Sequence, residues 1–181
     1  MNKFLEDITT TDFDTGEVTI DEMIDEGENG EIEFKSSMRW SYQREESDKK
    51  LEIVVMKTIA GLSNSDGGTL LIGVQDDGEI LGLDKDFNIL GGNVDKFELH
   101  VRNLLNKHLG KVSAAQVNVS FPIVRDKEIC RIDVLKSDKP VYLKISTKEA
   151  GVQEKFYVRS GNSTQELSIS EASEYIQKNL S

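Results

Sequence analysis

Residues 59–74 read IAGLSNSDGGTLLIGV, and their order of residue types sets the fold class. The first half closes a helix. Across Lys49 to Ser63, the residues Leu51, Val54, Val55, Thr58, Ile59 and Leu62 recur at the spacing of one buried helical face. Ser47 stands where an N-cap is expected. The run Asn64-Ser65-Asp66-Gly67-Gly68 then breaks the helix, because glycine tolerates the backbone angles of a sharp stop. The second half, Thr69 to Val74, is apolar on both faces of a period-two chain, which predicts a central strand covered on both sides.

Working outward, Asp76-Asp77-Gly78 predicts a tight turn, with Ile80 to Leu83 returning as its hairpin partner. Upstream, Glu31-Ile32-Glu33-Phe34-Lys35 alternates, so Ile32 and Phe34 point inward while Glu31, Glu33 and Lys35 share the other face. Thr19 to Ile24 suits a short helix, and the polar stretch Ser36 to Asp48 reads as a loop. Downstream, Asn93 to Leu109 carries a second amphipathic stripe (Val94, Phe97, Val101, Leu104, Leu105), with Gly110 just past its end. Strands are expected over Ala115 to Ile123, Glu128 to Leu135, Val141 to Ile145 and Lys155 to Arg159. A last helix, Ser170 to Leu180, offers Ala172, Tyr175, Ile176 and Leu180 for docking. The expected fold is α/β (α+β): a mixed, largely antiparallel sheet with helices packed on it. The expected division is an acidic flexible N-terminal tail, 1–17, and one domain over 18–181.

Composition narrows the chemistry. The net charge of −11 is uneven. Met1 to Glu33 holds 12 acidic residues against Lys3 alone, and the remainder is balanced. A negative leader on a neutral domain is less hostile to nucleic acid than the total suggests. Cys130 is the sole cysteine, so an internal disulfide is impossible, and two histidines are too few for a Cys/His zinc site. No run reaches the ~18 apolar residues of a membrane span, and the opening residues lack a signal-peptide core. These features point to a cytoplasmic protein with no membrane partner. No G-x-x-x-x-G-K-[ST] occurs, so no ATP site is evident. Cys130 is expected in the core, and His100 and His108 on a solvent-facing side of their helix.

Four segments together resemble the Schlafen AlbA-type domain. They are EIEFKSS at 31–37, the 59–74 stretch, DDGEILGL at 76–83, and FYVRSGNST at 156–164, the last preceded by KPVY at 139–142. The resemblance implies work on nucleic acid, with RNA favoured over DNA. In vertebrate Schlafen proteins a related core cleaves tRNA and rRNA through three carboxylates. Matched by motif, these fall on Glu28, Glu33 and Asp76, which would hold Mg²⁺ or Mn²⁺ as hard oxygen ligands. Lys35, Arg39, Arg44, Lys49, Lys50, Lys144 and Arg159 would contact nucleic acid. Trp40 or Tyr42 would stack on a base.

Three departures bear on this reading. The vertebrate core joins two related lobes, and this chain supplies one, so a full groove requires a homodimer. The Cys/His zinc site has no counterpart. The stretch Ser36 to Asp48 is longer than the usual spacing. Two functions stay open beside a metal-dependent endoribonuclease: a non-catalytic DNA- or RNA-binding regulatory module, and a protein-interaction domain. Acids are so common in this chain that a three-acid match ranks binding above catalysis.

Overall fold

The computed structural model describes residues 18–180; the expected 1–17 tail lies outside them. Along the chain come α1 (Ile20–Glu26), β1 (Ile32–Lys35), β2 (Trp40–Ser41), β3 (Glu46–Ser47), α2 (Lys49–Asn64) and β4 (Gly68–Ile72). Next are α3 (Asp84–Leu90), α4 (Val94–Leu109), α5 (Lys111–Ala114), β5 (Val117–Ser120), β6 (Ile123–Val124), β7 (Lys127–Glu128) and β8 (Cys130–Val134). β9 (Tyr142–Thr147), β10 (Gly151–Ser160), β11 (Ser163–Leu167) and α6 (Ile169–Asn179) complete the order.

The strands form two main sheets. One is ordered β1-β4-β8-β5, the other β11-β10-β9. Among the described residues only the β1–β4 pair is parallel, with Glu33 opposite Leu70 and Lys35 opposite Ile72. The expected mixed, largely antiparallel α+β architecture is therefore observed, divided between two sheets.

β4 is buried on both faces, as its apolar run requires. Leu70 and Ile72 enter the main core with Val55, Ile59, Phe97, Val101 and Leu105 from α2 and α4. Leu71 enters a second core with Ile32 and Phe34 of β1 and Met23 and Ile24 of α1. Each such large apolar side chain contributes roughly 1.5–3 kcal/mol when withdrawn from water. Because opposed residues share a face, Glu33 lies on the Leu70 side of the sheet, the side that α2 covers. Asn64 at the end of α2 is fully buried; its amide donates to Val141 O and Tyr157 O at 2.8 Å each and accepts from Val141 N at 2.8 Å. That one side chain fastens the second sheet onto the helix.

The glycines of the stop do what the sequence suggested. A Cβ on Gly68, at φ +144°, would stand 2.2 Å from Glu31 O, so only glycine lets β4 approach β1 this closely. The helix face differs in detail: Val54 is exposed, while Glu52 and Met56 are buried. The N-cap is Asp48, which accepts from Lys50 N, rather than Ser47. The expected loop Ser36 to Asp48 contains the β2–β3 ribbon, and α3, α5 and β11 are additions to the expected set.

Candidate nucleic-acid interface

Glu33 sits on edge strand β1 and is 8% exposed. Lys35 bonds to its Oε1 and also donates to Phe34 O at 2.9 Å. Arg159, from β10 of the other sheet, brings Nη2 within 3.0 Å of Glu33 Oε2. That contact is an ion pair without hydrogen-bond alignment, since Oε2 has no hydrogen-bond partner and Nη2 donates to Asn29 O at 2.7 Å. The other Arg159 nitrogens reach Thr164 Oγ1 at 3.2 Å and Gly30 O at 3.4 Å. Its side chain is only 3% exposed. The expected phosphate anchor is thus turned inward.

Glu28 closes the free edge of β1, its Oε1 accepting from Phe34 N at 2.8 Å. Burial pushes the Glu28 carboxyl up; the Phe34 amide opposes this, and the negative charges of Glu33 and Asp76 add to it. Asp76 therefore lies within electrostatic reach of Glu28, in the expected tight turn, where it is exposed. Glu33 and Asp76 thus both act on Glu28 through their charge, yet among the described residues no group of three or more Asp, Glu, His or Cys side chains is arranged to hold a metal ion. The donor chemistry explains this. Cationic groups flank Glu33, and Glu28 is engaged with backbone. The residues do not fit Mg²⁺ or Mn²⁺ in this arrangement.

A second group gathers at the β2–β3 ribbon. Trp40 pairs with Ser47 and Ser41 with Glu46. Its organiser is Asp86 of α3, 1% exposed. The Asp86 carboxylate accepts from Ser37 Oγ at 3.0 Å, Met38 N at 2.8 Å, Arg39 N at 3.0 Å and Trp40 N at 3.1 Å. Burial pushes this carboxyl up and those donors pull it back. Arg39 braces the ribbon, donating from Nε to Ser47 Oγ at 3.1 Å and lying 3.4 Å from Glu52.

The ribbon presents aromatic and cationic groups. Tyr42 is 37% exposed, and Lys85 Nζ lies 5.2 Å from the Trp40 ring centroid. Arg44 bonds to Asp48 and lies 3.4 Å from Glu46. Lys49 and Lys50, in the first turn of α2, are exposed and make no ion pair among the described residues. Lys144 stands apart on β9, 3.7 Å from Glu154.

Sequence reasoning missed Asp86, Glu52 and Asn64, polar residues buried by partners far along the chain. It also misplaced His108, which is buried, while His100 is only partly exposed. His108 is 4% exposed, with Nδ1 2.7 Å from Lys144 O, and His100 Nε2 lies 2.7 Å from buried Glu52. Both ring positions are anchored because α4 packs against α2 and β9. Cys130 is in the core as expected, its thiol pushed up by burial.

The profile of the family described as "Schlafen, AlbA_2" matches residues 28–168, most of the chain. The chain belongs to the Schlafen AlbA_2 family. The match begins at Glu28 and takes in the β1 edge, the ribbon, the glycine stop and the β10–β11 hairpin. Among solved structures, this Schlafen AlbA_2 chain is similar in fold to the DIP2311 protein from Corynebacterium diphtheriae, at TM-score 0.55 and 16% identity. The likeness covers 91% of this chain and 29% of that one, so the chain spans less than a third of its neighbour's length. No curated protein matches the sequence. No helix among the described residues is long and apolar enough to cross a membrane.

Proposed function

We propose that this chain binds single-stranded nucleic acid, RNA in preference to DNA, on the β2–β3 ribbon and the first turn of α2, without cleaving it. The observation that carries the reading is the Asp86 clamp, which fixes residues 37–40 through four donors and so pre-forms the ribbon. A pre-formed platform loses little freedom on binding. Tyr42 and the partly exposed Trp40 offer π surfaces, and base stacking is worth about 1–3 kcal/mol per base. Lys49, Lys50 and Lys85 supply charge; Arg44 is largely neutralised by Asp48 and Glu46. The preference for RNA rests on the family alone. A homodimer in the cytoplasm is part of the proposal: a second copy would extend one platform into a groove, and a buried free thiol suits a reducing compartment.

The test is binding of labelled single-stranded RNA, single-stranded DNA and duplex across a salt series, with the products run on a denaturing gel. Two or three phosphate contacts predict a slope of log K against log salt of about −1.4 to −2.1, with RNA intact in the presence of Mn²⁺. Absence of any binding at low salt would favour the protein-interaction reading. Mn²⁺-dependent cleavage abolished by Glu33→Ala and by Asp76→Ala would favour the endoribonuclease.

A further inference from the structure

We infer that Glu33 is the anion of an internal clasp, held between Lys35 and Arg159, which ties the two sheets together and closes this carboxylate to divalent cations. The inference does not depend on the nucleic-acid reading.

The clasp spans the fold. Glu33 belongs to β1 of the four-stranded sheet and Arg159 to β10 of the three-stranded sheet. Arg159 is tied at every end. Its backbone N–H donates to Ser65 Oγ at 2.9 Å, just past α2. Its guanidinium reaches Thr164 on β11 and the carbonyls of Asn29 and Gly30 leading into β1. Rotating it away would strand a buried guanidinium and several acceptors at once.

A divalent ion on Glu33 would require oxygen ligands at about 2.0–2.6 Å. It would enter beside two positive groups, one at 3.0 Å from Oε2 and the other bonded to Oε1. Glu28, the nearest further acid by motif, spends Oε1 on Phe34 N. The charge that a metal would neutralise is already neutralised by the chain itself.

The test is a thermal double-mutant cycle with a metal arm. Glu33→Gln removes the anion shared by the two cations and Arg159→Met removes the cation of the other sheet, and each is expected to lower Tm by on the order of 10 °C. The double variant should lose clearly less than the sum, because the Glu33–Arg159 attraction that each single change removes is lost only once. Strictly additive losses would overturn the clasp. If Arg159→Met does not fold, Arg159→Lys takes its place in the cycle, and strictly additive losses there overturn the clasp. In the metal arm, Mn²⁺ at about 100-fold over the Kd of a genuine site would raise Tm by several degrees. The expected result for the natural chain is no such rise. A rise that Glu33→Gln abolishes, or any rise if that variant does not fold, overturns the closure to metal.

Discussion

A carboxylate withdrawn from water persists in a fold only where donors replace the lost hydration, and Asp86 meets four of them in residues 37–40. Removing it would leave buried Met38 N without its acceptor and the Ser37 hydroxyl, on which Arg39 N and Trp40 N also converge, without its anchor. Asp86→Ala is therefore expected to cost about 3–5 kcal/mol by urea unfolding, and a loss under about 1 kcal/mol would contradict the clamp. Gly68→Ala belongs to the same scale. Its Cβ would meet Glu31 O at 2.2 Å, backbone that cannot turn aside. A loss of at least about 3 kcal/mol is expected, read as a shift in the unfolding midpoint at unchanged m.

The contrast between the two residues shows where sequence reading stops. Gly68 was legible as part of the sharp Gly-Gly stop before an apolar strand. Asp86 was not, because its partner Ser37 lies 49 positions away and nothing local separates it from the chain's other acids. Glu28 and Glu33 were found by motif, but the motif did not say that one closes a strand edge and the other an ion pair.

Among the elements, long periodic helices and apolar strands were legible; short polar ones were not. The β2–β3 ribbon has two-residue strands and no apolar alternation, so nothing in the sequence marks it. β11 reads STQEL and buries little, so no apolar alternation marks it as a strand. The α2 stripe was rotated in the reading because the helix meets β10 as well as the four-stranded sheet, and because Glu52 is drawn inward by Arg39 and His100.

Two predictions belong to elements. Tyr42→Ala should weaken RNA binding roughly tenfold without moving Tm, since stacking is worth about 1–3 kcal/mol and Tyr42 lies outside the core. The β10–β11 hairpin should be acid-sensitive. The Lys155 hydrogen bond holds the Glu166 carboxyl below its ordinary 4.5, against a smaller desolvation effect, and the Tyr157 hydroxyl adds to the lowering. A lowered folded pKa gives stability that is present above 4.5 and lost as pH falls through the folded value. Natural protein should lose Tm across that acidic window slightly more steeply than Glu166→Gln, slightly because the side chain is 46% exposed.

At the scale of the whole molecule, charge and topology decide what the fold can meet. The sequence is acidic through Glu33 and balanced beyond it, so attraction for phosphate has to come from a local surface rather than from net charge. Lys49→Ala with Lys50→Ala should reduce the salt slope by about 0.7 per lysine in single-strand binding. The mixed architecture was legible from the order of elements. Its division into two sheets was not, because alternation marks a strand without naming its neighbour, and the joint depends on Asn64 and Arg159, both polar.

The sole tryptophan, Trp40, sits on the ribbon under Lys85, so its emission reports directly on the proposed contact surface. Single-stranded RNA titrated at low salt should change Trp40 fluorescence saturably, and the change should vanish in the Tyr42→Ala, Lys49→Ala, Lys50→Ala triple variant with Tm preserved. RNA that binds with Trp40 emission unaltered, or that binds the triple variant equally well, would contradict the ribbon as the nucleic-acid surface.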